Sequence, residues 1–101
     1  MASLFREFFI DVSPEVRIRV RRSQPPPPIS YAITLESLSD GGWSTVRLWD
    51  NADGIDLHHE HPYSRDGAKQ PPILHEFSTP NDAMAAAIER AKSIADAIVG
   101  Q

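Results

Sequence analysis

The sequence predicts an α+β fold, an antiparallel sheet of four or five strands with a C-terminal helix packed on one face. Three observations lead there. Val16-Arg17-Ile18-Arg19-Val20-Arg21 and Tyr31-Ala32-Ile33-Thr34-Leu35-Glu36 alternate apolar and polar residues with period two, the pattern of half-buried strands. Ser39-Asp40-Gly41-Gly42 and Asp53-Gly54 carry the Asp and Gly that tight hairpin connections require. Beyond residue 79 the apolar period changes to three and four, which is helical.

Taken in order, Leu4 to Ile10 is a short apolar run, a strand or a helical turn, and Asp11 to Pro14 forms the turn that follows it. Residues 16–22 are a strand. Residues 24–29 include Pro25 to Pro28, which donate no ladder hydrogen bonds and favour polyproline II, so they form a stiff connector. A strand bordered by such a connector is expected at a sheet edge, and a β-branched edge pairs readily with a second copy. Residues 31–36, 43–50 and 55–61 supply further strands. In a regular strand Trp43 and Trp49 lie on the same side. A polar loop, 62–72, precedes a brief apolar segment, Ile73 to Phe77.

Thr79-Pro80-Asn81-Asp82 then offers an N-cap, a proline at the first helical position and an acid in the first turn. Met84, Ala87, Ile88, Ala91, Ala95 and Ile98 follow on one stripe, and Gly100 ends the helix. Met84, Ile88, Ala91 and Ile98 are expected to face the sheet.

The chain of 101 residues is sized for a single small domain, 1–101, with one core. It has no cysteine, which removes disulfide scaffolds, thiol nucleophiles and cysteine-ligated metal centres. No apolar run reaches the length of a membrane-spanning helix, and no basic-then-apolar leader is visible, so no membrane partner and a cytoplasmic location are expected. The net charge is −4, against binding nucleic acid by charge alone. That charge is uneven. Residues 1–30 hold five arginines against three acids, whereas residues 31–82 hold nine acids against three bases.

Chemistry concentrates in one segment. All four histidines fall between residues 58 and 75, and three lie in His58-His59-Glu60-His61. On a strand, His59 and His61 share one face and His58 and Glu60 the other. Paired imidazoles can act as base and acid across a phosphodiester, and Arg65 or Arg47 could steady the developing charge. Asp50 reaches the histidines if the Asp53-Gly54 turn folds its strand back. The same His-x-His pair, completed by His75 or Glu76, would hold a divalent metal such as zinc; no other cofactor is implied. A solvated polar cluster is the plain alternative.

Asn51, Asp53, Gly54 and Glu60 also match four positions of a calcium loop, but its first ligand would be Trp49 and its flanks read as strands. Calcium is therefore not expected. The aromatic pair could stack single-stranded RNA, and Arg17, Arg19 and Arg21 could touch RNA or an acidic partner. Their plain alternatives are core packing and a solvated outer face. No nucleophile elbow or phosphate-binding glycine loop is present.

At Leu48-Trp49-Asp50-Asn51-Ala52 followed by His58-His59-Glu60-His61, the sequence resembles the TumE-like toxin components of toxin–antitoxin pairs and related uncharacterised small bacterial proteins. The resemblance covers residues 30–99, with about fourteen residues in its specific part. It implies that Asp50, Asn51, His59 and His61 matter, and that the partner is a cognate antitoxin-like protein. The polyproline connector, the arginine strand and the 62–72 segment depart from that pattern. Two functions follow. One is a toxin-like protein acting on RNA through His59, His61, Asp50 and Arg65. The other is a non-enzymatic module that binds a protein or its own copy as a homodimer.

Overall fold

The computed structural model describes residues 5–23, 29–51, 58–63, 68–71, 73–75 and 79–99. Among the described residues, six strands form one antiparallel sheet in sequential order, and a single helix covers one face. The strands are β1 (Phe5–Ser13), β2 (Val16–Ser23), β3 (Tyr31–Ser39), β4 (Gly42–Asp50), β5 (His58–Pro62) and β6 (Ile73–His75), and the helix is α1 (Pro80–Val99). The α+β class and the C-terminal helix are as expected, but the sheet has six strands rather than four or five. The two ends account for the difference. Phe5–Ser13 pairs along its length with β2, and the three residues of β6 suffice to pair with β5.

β2 is not an edge. It pairs with β1 on one side and β3 on the other, because Pro14 and Glu15 occupy the hairpin turn and leave the ladder intact. The Asp11–Pro14 turn is thus shifted toward the C-terminus, with a register irregularity between Asp11 and Ser13. The polyproline segment 24–28, the Asp53-Gly54 turn, Arg65, Glu76 and Gly100 lie outside the described residues. The ends of the proline connection are clasped, since Ser23 N donates to Ser30 O at 2.8 Å and Ser30 N to Ser23 Oγ at 3.0 Å. Gly42, after the Asp40-Gly41 turn, has φ +103°, a conformation that favours glycine.

The core lies between α1 and the alternating face of the sheet. Val16, Ile18 and Val20 of β2 sit beside Leu35 and Ile33 of β3, in the register Ile18↔Leu35 and Val20↔Ile33. Opposite them, Ala83, Ala87, Ala91 and Ala95 recur every fourth residue, so α1 presents a smooth seam to the strands. Met84 is buried with them, while Ile88, Ile94 and Ile98 pack along the margins half-buried. The helix start is as expected: Asp82 N donates to Thr79 Oγ1 at 3.1 Å, capping the first turn.

One irregularity decides where the tryptophans go. Leu35 pairs with Arg47 but Glu36 with Thr45, which leaves Val46 as an extra residue in β4. The bulge reverses the alternation, so Trp43 and Trp49 point to opposite faces instead of sharing one. Trp49 is buried under the helix. Trp43 lies on the other face, its ring 3.9 Å from the Arg17 guanidinium carbon.

Candidate functional site

β5 is the strand on which the chemistry divides. Its register with β4 sets Asp50 opposite His59 and Trp49 opposite Glu60. Alternation then sends His59 and His61 to the face away from the helix, with Asp50, and sends His58 and Glu60 to the helix side.

On the helix side, Glu60 is fully buried and heavily bonded. Arg47 Nη1 donates to it at 2.6 Å, Trp49 Nε1 at 2.8 Å and Arg90 Nε at 2.8 Å; His75 Nε2 lies 3.2 Å away. Burial alone pushes this carboxyl up, but the hydrogen bonds from Arg90, Trp49 and Arg47 outweigh it and hold Glu60 at about 2. One carboxylate thereby ties β4, β6 and α1 to β5. Nearby, Tyr31 Oη and His58 Nδ1 are 2.7 Å apart, and the Tyr31 hydroxyl is pushed up to about 12 by burial and by the Asp50 charge. Asn51 accepts from Tyr31 N at 3.0 Å and donates to Ile29 O at 2.9 Å, joining the start of β3 to the end of β4. A cavity of about 50 Å³ between these groups and Ala83, Ala87 and Arg90 has room for a few water-sized groups.

The other face holds the predicted trio. His59 and His61 are each 7% exposed, and their rings stack with centroids 5.6 Å apart. Asp50 Oδ1 lies 3.9 Å from His59 Nδ1 and 3.5 Å from His61 Nε2. One ligand atom from each of the three residues falls within 4.8 Å of the others. His61 Nδ1 is buried without a hydrogen-bond partner among the described residues.

Of the expected site residues, the structure brings Asp50, His59 and His61 together. His75 does not join them; β6 pairs it opposite His58, on the helix side, where it meets Glu60. Arg47 is likewise committed to Glu60 and cannot serve the trio. Arg65 lies outside the described residues. The arginine ridge is locally neutralised: Arg17 pairs with Glu36 at 2.8 Å and Arg19 with Glu7 at 2.9 Å. Arg17 is also sandwiched by Phe9 and Trp43, and with Trp49 on the opposite face the tryptophans make no common stacking platform. The Glu60 hub was not anticipated. Its signal was present in Arg47 and Trp49, two residues apart on the strand that faces Glu60.

No family model matches the chain, and no match is found among curated proteins or solved structures. None of the helices is long and apolar enough to cross a membrane, among the described residues.

Proposed function

We propose that the chain acts on the phosphodiester backbone of RNA at the cluster formed by Asp50, His59 and His61, in the manner of the toxin components its sequence resembles. The observation that carries this reading is the convergence of two imidazoles and one carboxylate, from two adjacent strands, on the side of β5 away from the structural hub. Groups of this kind position and activate the oxygen that attacks phosphorus, and paired strands hold them without rearrangement. Ala32 and Thr34 of β3 lie opposite Asp50 and Leu48 in the register, so the side chains bordering the trio on that strand are small. Expression in a bacterial host tests the proposal. Wild-type protein should arrest growth and shorten transcript half-lives, and the double substitution His59→Ala/His61→Ala should restore both. Equal growth and equal half-lives for the two proteins would reject it.

A second reading has its own observation. β1 is an edge strand, and it exposes Phe8 and Phe9 on opposite sides at 49% and 45%. Edge strands of this kind template pairing with another chain, so a homodimer through β1, or capture of an antitoxin-like strand, is the non-enzymatic alternative. A dimer mass in sedimentation that reverts to monomer in Phe8→Lys supports it; monomer mass at tens of micromolar rejects the homodimer.

A further inference from the structure

We infer that Asp50, His59 and His61 bind a divalent transition-metal ion of the zinc class and leave part of its coordination sphere open. The inference deepens the reading of this trio as the working site, and rests on it only for the identity of the site. The argument begins with distances. A hydrogen-bonded Asp–His pair would stand at roughly 2.7–3.2 Å. Asp50 Oδ1 instead stands 3.5 Å from His61 Nε2 and 3.9 Å from His59 Nδ1, too far for either bond. Ligands held about 2.0–2.1 Å from one tetrahedral ion are separated from each other by roughly 3.3 Å. The two Asp50–histidine spacings are therefore closer to an expanded coordination shell than to hydrogen bonds, and all three ligand atoms lie within 4.8 Å of one another.

Burial points the same way. His59 and His61 are each 7% exposed, and the Asp50 side chain between them is 15% exposed. Asp50 faces both rings at distances beyond a hydrogen bond, and a cation held between its carboxylate and the two imidazoles would offset the cost of keeping that charge largely from water. The donor set determines the class of ion. Two imidazoles and one carboxylate suit zinc and its neighbours in the first transition row; calcium and magnesium prefer all-oxygen shells. Three protein ligands leave room for water or a substrate oxygen, the arrangement of catalytic rather than structural zinc. The one acid beside them in sequence is not a competitor, since Glu60 faces the other way and is saturated by Arg47, Trp49 and Arg90.

The test uses the full chain and metal ions alone. Cobalt(II) titration at neutral pH should develop visible d–d bands that saturate at one equivalent, and zinc should abolish them. Asp50→Asn should weaken zinc binding by tenfold or more in calorimetry, and His61→Ala should remove stoichiometric binding. His75→Ala should leave the affinity within twofold of wild type. Far-UV circular dichroism establishes that each variant is folded, and His59→Asn provides a second ligand substitution if His61→Ala is not. Absence of cobalt bands in the wild type, or zinc affinity unchanged in folded Asp50→Asn, would overturn the inference. So would loss of binding in His75→Ala with binding intact in His61→Ala. The two readings fail separately. Zinc binding without growth arrest would leave the metal centre standing and reject the RNA reading; growth arrest and RNA cleavage by a wild type that develops no cobalt bands would reject the metal and keep the RNA reading.

Discussion

Replacing Glu60 with glutamine isolates the contribution of the hub on which β4, β5, β6 and α1 converge. The substitution preserves shape but puts an NH₂ donor where three donors now meet an acceptor, and it leaves Arg47 and Arg90 without their counter-charge. Removing one partner from a buried, hydrogen-bonded ion network costs roughly 3–5 kcal/mol. That is a large part of the 5–15 kcal/mol or so that holds a small domain together. The same carboxylate makes the wild type acid-sensitive. Its folded value of about 2 lies below the ordinary 4.5, so its stabilisation is fully present above pH 4.5 and is lost as the pH falls toward 2. The full difference is on the order of 3 kcal/mol, of which about 2 kcal/mol is gone at pH 3. Urea unfolding of both proteins at pH 7 and pH 3 measures this directly. The gap between them should shrink by about 2 kcal/mol at the lower pH, because glutamine has no proton to gain. A gap that is equal at both pH values, or smaller than about 0.5 kcal/mol at pH 7, would refute the reasoning.

The remaining predictions concern the core and the other titrating group. Trp49→Ala should destabilise by about 3–5 kcal/mol and Trp43→Ala by under about 1 kcal/mol in the same assay, since only Trp49 is buried beneath α1. Ala91→Leu should cost about 1–3 kcal/mol or more, because Ala91 is fully buried against the strands and a larger side chain must push the helix away. Tyr31 should ionise near 12 in an ultraviolet titration of the folded protein. Because the folded group resists ionisation, stability should fall as pH rises from about 10 toward 12, and Tyr31→Phe should flatten that slope.

Much of the fold was legible in the sequence for local reasons. Thr79-Pro80-Asn81-Asp82 states a helix start through capping chemistry that needs only neighbours, and the alanine stripe follows from periodicity alone. Likewise, His59 and His61 share a face because strand alternation is local. What escaped were consequences of long-range register. A single residue without a partner on β3, Val46, separates Trp43 from Trp49, and nothing in the residue types around it announces a bulge. His75 lies fourteen residues beyond His61 in a chain rich in histidine, and spacing cannot tell which face its three-residue strand will present. The pairing His58↔His75 decides that, and assigns it to Glu60. The edge position was misplaced for a related reason. The polyproline connector that follows β2 was expected to mark an edge, but β2 pairs with β1 on one side and with β3 on the other before that connector begins.

The central claim is that β5 divides its side chains between a structural centre and a chemical one. Nitrogen-detected NMR of the four histidine rings during zinc titration tests it most directly. The account predicts that the ring nitrogens of His59 and His61 shift together and saturate at one equivalent, while those of His58 and His75 stay in place. Movement of His75 in concert with His61, or no change in any ring, would contradict it.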